Sequence, residues 1–160
     1  MTTPLDGPGG FATSTAPDPS SNSSADHVPH SDSVSRAVER FRASLDRFPV
    51  AAILADARAD DQPIVYCNDA FVELTGYPRE DILGRNCRFL QGPDTDKRAV
   101  RDLRESIDQG EAVGTDLVNY RRDGTTFINS LVIVPIRDSQ GLALYMGVQS
   151  SGDMPIEIEL

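Results

Sequence analysis

The tightest constraint on this chain is one run of thirteen residues, Gly84-Arg85-Asn86-Cys87-Arg88-Phe89-Leu90-Gln91-Gly92-Pro93-Asp94-Thr95-Asp96. It sets a cysteine between an amide and a guanidinium on one short turn and adds a second amide at Gln91. It closes with residues that break one helix and cap the next. Such a run is built to hold a reactive thiol against a polar ring system with a phosphate nearby. The rest of the chain has to supply a box around it.

The box has few chemical options. The chain has 160 residues, enough for one domain of ordinary size plus tails. Fifteen basic against 25 acidic residues give a net charge of −10, which argues against nucleic acid as a partner. No apolar run approaches the roughly 20 residues that span a bilayer, and the start lacks the order of a signal peptide, so no membrane partner and a cytoplasmic protein are expected. Both histidines, His27 and His30, fall in the N-terminal stretch. The remainder therefore holds no Ser/His or Cys/His pair and no histidine ligand for haem, and a metal site is not expected. Cys87 has to be activated by something other than an imidazole.

Residues 1–32 are rich in Ser, Pro, Thr, Gly and Asp and are expected to form a disordered tail. Over 33–48, Val34, Ala37, Val38, Phe41, Leu45 and Phe48 recur at helical spacing, which predicts an amphipathic helix ended by Phe48-Pro49. Its stripe has two outlets, its own domain or a second copy of the chain as a homodimer. Residues 50–56 and 63–67 read as an opening hairpin. Asn68 or Asp69 caps a short helix through Phe71 and Leu74 to Gly76, and another follows from Tyr77-Pro78 to Leu83. Cys67, at a strand end among apolar residues, reads as a small core hydrophobe. Asp94 or Thr95 is expected to cap a longer helix with Val100, Leu103 and Ile107 inward. Three β-rich runs, 112–121, 125–136 and 142–150, complete an α+β domain with one antiparallel sheet.

The last strands carry amides at Asn119, Asn129 and Gln149. A two-residue loop around Asp123-Gly124 would put Asn119 and Asn129 on opposite faces, whereas an odd loop puts them on one. If the amides act together, the turn must be odd. Buried amides need partners, so three on one face point to a ligand with donors and acceptors along its edge. Arg88, next to Cys87, and Arg104 on the following helix are candidates for a charge-assisted clamp on a phosphate, with Arg101 as a substitute second arm.

The run 84–96 strongly resembles the flavin-binding signature of LOV (light-oxygen-voltage) domains, the blue-light-sensing branch of the PAS superfamily. Further matches are Asn68-Asp69-Ala70-Phe71, Leu74-Thr75-Gly76-Tyr77, Asn119-Tyr120-Arg121, Phe127-Ile128-Asn129 and Gly147-Val148-Gln149. The resemblance implies a PAS fold, a five-stranded antiparallel sheet with short helices enclosing a flavin pocket over 49–151. The 33–48 helix would precede it and a short tail, 152–160, would follow, with no effector domain. It implies FMN as the cofactor, with Asn86, Gln91, Asn119 and Asn129 on the isoalloxazine edge or ribityl chain and Arg88 and Arg104 on the phosphate. Leu131 and Ile133 would line the ring, and Gln149 would sit near N5. Leu131 stands where many relatives carry Phe, and Ala55 where some carry a hydroxyl residue.

The implied function is a blue-light photoreceptor and not an enzyme. Light excites the flavin, Cys87 forms a reversible adduct at C4a, and Gln149 re-pairs its amide, passing a signal to the sheet and terminal elements toward a downstream protein. Two other readings remain, a light-independent flavin redox module and a PAS sensor of another small ligand.

Overall fold

A computed structural model describes residues 32–152, so the tails expected over 1–32 and 152–160 lie outside the described residues except for Asp32 and Gly152. In chain order the elements are α1 (Asp32–Leu45), β1 (Ala51–Asp56), β2 (Ile64–Cys67), α2 (Asp69–Thr75), α3 (Arg79–Ile82), a 3-10 turn (Cys87–Leu90), α4 (Lys97–Asp108), β3 (Val113–Tyr120), β4 (Thr126–Asp138) and β5 (Gly141–Ser151). The strands form one antiparallel sheet in the order β2-β1-β5-β4-β3. This is the α+β architecture expected from the sequence. No helix among the described residues is long and apolar enough to cross a membrane.

Strand register decides which residues meet. Ala51 pairs with Gln149, Ile53 with Gly147, Leu131 with Gln149 and Leu117 with Asn129. Directly paired residues share a face, so these odd-numbered positions, with Asn119 and Ile133, line one side of the sheet. The β3–β4 connection spans 121–125, five residues between the paired Tyr120 and Thr126. The loop is odd, and Asn119 and Asn129 do share a face. Asp123 Oδ1 accepts from the Thr125 amide at 2.9 Å and the Thr125 hydroxyl at 2.7 Å. Gly124 takes the left-handed φ of 84° that the turn requires.

The opposite face of the sheet is covered by α1. Val34 and Leu45 are buried against Ala52, Leu54, Tyr66 and Leu144, with Ala37, Val38 and Phe41 packed around them. Complete burial of such side chains stabilises by about 1.5–3 kcal/mol each. The apolar stripe of α1 is thus taken up by its own domain.

Two boundaries differ from expectation. The first helix stops at Leu45 rather than Phe48-Pro49, and Phe48 is 44% exposed instead of joining the stripe. The cause is Asn68, fully buried where α1, β1 and α2 converge. Its Oδ1 accepts from the Ala52 and Phe71 amides at 2.9 and 3.1 Å. Its Nδ2 donates to the Val50 and Leu45 carbonyls at 2.9 and 3.2 Å. The chain has to leave the helix early to present those carbonyls, and the Tyr66 hydroxyl fixes the exit by donating to Asp46 at 2.6 Å.

The cap of α4 also differs. Asp96 accepts from the Arg98 amide, because the expected residues are engaged elsewhere. The Thr95 hydroxyl donates to the Val118 carbonyl at 2.6 Å, and Asp94 accepts from the Tyr120 hydroxyl at 2.9 Å.

Replacing Asn68 by Ala removes a helix cap and strands the Ala52 amide and the Val50 carbonyl, while the Leu45 carbonyl keeps the Phe48 amide. The expected loss is about 2–4 kcal/mol. Phe48→Ser should cost less than about 1 kcal/mol. Urea unfolding followed by circular dichroism measures both.

Candidate functional site

The odd-numbered face of the sheet, α4, the Cys87–Leu90 turn and the β1–β2 loop enclose a cavity of about 730 Å³. That volume suits a ligand of cofactor size. Leu117, Leu131 and Ile133 form its sheet wall, and Val100, Leu103 and Ile107 its helix wall. The Tyr145 hydroxyl donates to the Ile107 carbonyl and ties the two walls together. Apolar groups on both sides of a slot accept a flat ring, while polar groups along its edge fix the ring's rotation.

Those polar groups are the predicted amides. Asn129 Nδ2 donates to Asn119 Oδ1 at 2.8 Å and to Gln149 Oε1 at 2.7 Å. Asn119 Nδ2 donates to its neighbour's carbonyl, Val118 O, at 3.1 Å. Asn119, Asn129 and Gln149 are each at most 4% exposed. Asn129 Oδ1 is buried and has no partner. An unpaired buried acceptor costs about 1–3 kcal/mol, so this atom is set for a donor on a bound molecule.

Cys87 opens the 3-10 turn, which the Asn86 side chain caps by accepting from the Arg88 amide at 3.0 Å. Its sulfur lies 4.0 Å from Gln149 Nε2, so the sheet's last amide reaches the thiol. Burial pushes the Cys87 thiol up to about 12, opposed by the weaker pull of the Gln149 hydrogen bond. The thiol is neutral at physiological pH. Cys67 is fully buried against Phe71 and Ile82, the core role read from its sequence context.

Two glycines admit close approaches. A Cβ on Gly92 would sit 2.4 Å from the Tyr120 ring, and one on Gly147 would sit 3.1 Å from Ile53 Cγ1. Gly92 therefore lets the turn after Gln91 lie against β3, and Gly147 keeps β5 low at the cavity wall.

The remaining predicted residues divide. Asn86, Gln91, Arg88 and Arg104 all line the cavity, as do Asn119, Asn129, Leu131 and Ile133. Gln149 stands behind the wall, between Asn129 and Cys87. The two expected phosphate arms line the same cavity but differ in their partners. Arg88 Nη2 is held by both carboxylate oxygens of Asp61, and Asn86 Nδ2 donates to the Asp61 carbonyl at 2.6 Å. Asp61 and Tyr145 were not among the expected site residues: Asp61 sits in the polar β1–β2 loop, whose composition signals only a turn, and Tyr145 shares the odd-numbered face of β5 with Gln149.

The chemistry of this donor set fits a flavin. Edge amides with one acceptor left over and apolar walls for a planar ring answer the parts of a flavin ring. A sheet in the order β2-β1-β5-β4-β3, with short helices closing a cavity on one face, also defines a class. The PAS domain family matches residues 49–149, and the chain belongs to that family.

Within it, this is a LOV domain. The LOV domain of a blue-light activated histidine kinase from Erythrobacter litoralis superposes with a TM-score of 0.64 at 41% identity, covering 66% of this chain and 98% of that one. A blue-light photoreceptor of Listeria monocytogenes is 39% identical over 120 residues, 72% of this chain and 47% of its own. Phototropin-1A of Oryza sativa subsp. japonica is 44% identical over 110 residues, 68% of this chain. The chain covers only 12% of that phototropin's length.

A thiol with its pKa near 12 should alkylate with iodoacetamide at a rate that keeps rising about tenfold per pH unit from pH 8 to 10.5. The raised pKa makes the thiolate scarce throughout that range. Peptide mapping at Cys87 would detect an ordinary thiol as a plateau beginning near pH 9.

Proposed function

We propose that this chain is a blue-light photoreceptor that holds FMN in the cavity and bonds Cys87 reversibly to flavin C4a under illumination. The observation that carries this reading is the continuous amide chain Asn119–Asn129–Gln149, ending on the Cys87 sulfur. It runs from two amides in the wall of a slot for a flat ring, through a rotatable amide just behind that wall, to a neutral thiol.

When bound, the flavin supplies the excited state that stands in for a base. Cys87 would give its sulfur to C4a and its proton to N5, an addition that would need no outside oxidant or reductant. The residues of the chain do the rest. Burial keeps Cys87 protonated, and therefore unreactive, in darkness. Asn119 and Asn129 would hold the ring edge, and a donor on that edge would satisfy the unpaired Asn129 oxygen. Leu131, Ile133 and the helix wall exclude water. Asn86 and Gln91 border the same slot, and Arg88 and Arg104 favour the monophosphate over other flavin forms.

Gln149 is the outlet. Its amide faces Asn129 on one side and Cys87 on the other, so protonation at N5 would invert the hydrogen bond it is asked to make. Gln149 also pairs in register with Ala51 of β1, between Val50 and Ala52, whose backbone groups Asn68 ties to the end of α1. A re-paired amide therefore acts on the sheet directly beneath α1. We assign the output to that helix and to whatever binds its exposed side, a second copy of the chain or another protein. The activity is sensory, with the dark reversal closing a cycle.

Purified protein should be yellow, bleach under blue light and recover in darkness. Cys87→Ala should retain flavin, lose the bleaching and fluoresce more strongly. Gln149→Leu should still bleach, with a smaller light-induced change in hydrogen exchange across residues 32–56. Bleaching that persists in Cys87→Ala would sink the thiol assignment.

A further inference from the structure

The mouth of the cavity is electrostatically divided. Its lining includes Arg58, Arg88 and Arg104 and also Asp60, Asp61 and Asp108. Arg58 is committed to Asp138 at 2.6 Å, and its Nε donates to the Leu142 carbonyl at 2.9 Å. Arg88 is committed to Asp61, 2.6 Å from Oδ2. Among the described residues, only Arg104 of the three has no ion pair. It stands on α4 and lines the same cavity as Asp61.

Asp61 is held in place by unusual backbone. It and Gln62 both have positive φ, 66° and 48°, in the hairpin turn that the Gln62 amide closes onto the Ala59 carbonyl at 3.1 Å. The side chains flanking Cys87 grip it from the other side, Asn86 on its carbonyl and Arg88 on its carboxylate. Arg88 offers that carboxylate one nitrogen only, and its half-exposed side chain also lines the cavity.

We propose that Asp61 is a specificity-determining residue at the charged end of the site, an internal carboxylate that competes with a ligand's phosphate for Arg88 and so weakens the preference for a phosphorylated flavin over a neutral one. The assignment rests on the flavin reading above. Its logic is charge alone. A phosphate dianion arriving at Arg88 meets the guanidinium already half-neutralised and a fixed negative charge beside it, whereas a ligand without phosphate meets neither effect. The protein's surplus of acidic residues gives the same sign at longer range, which salt screens.

The test uses the full chain and the isosteric variant Asp61→Asn, which keeps the loop carbonyl for Asn86 and removes only the charge. Dissociation constants for FMN and for riboflavin are measured by fluorescence quenching on refolded apoprotein at low and high salt. FMN should bind the variant about three- to tenfold more tightly at low salt, riboflavin should be unchanged, and the gain should shrink at high salt. Weaker FMN binding with riboflavin unchanged would overturn the proposal by making Asp61 an aid that orients Arg88. Equal shifts for both flavins would overturn it by making the residue merely structural. Arg88→Gln should abolish the Asp61→Asn gain, and a gain that survives would place the effect elsewhere. Failure of the wild-type chain to bind either flavin would overturn the function proposed above and this assignment with it.

Discussion

One amide nitrogen sits at the centre of this structure. Asn129 Nδ2 serves two carbonyl oxygens, on Asn119 and Gln149, and leaves its own oxygen buried and unpaired. Three amides removed from water are tolerable only if nearly every donor and acceptor is matched. The residual mismatch sits on a residue that lines the cavity. The same network runs to the Cys87 sulfur through Gln149, so the recognition edge and the reactive atom belong to one hydrogen-bonded unit.

That unit exists because of register. An odd β3–β4 loop puts Asn119 on the Asn129 face, and the β4–β5 pairing brings Leu131 opposite Gln149, next to Asn129 along its own strand. A one-residue slip in either pairing would turn an amide to the wrong side. Local chemistry defends the loop: Asp123 folds it through Thr125, and Gly124 accepts the left-handed backbone. At the other end of the sheet, Asn68 fixes β1 against α1 and α2. The strand carrying the pairing partner of Gln149 is thereby anchored to the helix on the far face.

The electrostatics are arranged by region. Deep in the cavity the environment is apolar, and it keeps the Cys87 thiol protonated. At the mouth, arginines face aspartates, and two of the three guanidiniums are already paired. Three arginines stand there with three aspartates, so the mouth is locally balanced although the protein carries a net charge of −10.

Much of this was legible beforehand. Helix stripes, the Gly76 stop, the hairpin signals and the 84–96 run give the element order and the thiol's place on a short turn, because those features are written in periods of two or 3.6 and in residues with restricted backbones. The amides at 119, 129 and 149 could be paired by parity, conditional on one loop length. Tertiary structure alone decided that α1 ends at Leu45, that Asp96 rather than Asp94 or Thr95 caps α4, and that Arg88 faces Asp61. Each depends on a partner distant in sequence: Asn68 for the helix end, Val118 and Tyr120 for the cap, the β1–β2 turn for the arginine. Local sequence sets what a segment prefers by itself, and competition for a polar group across the fold is resolved only once the chain has closed on itself.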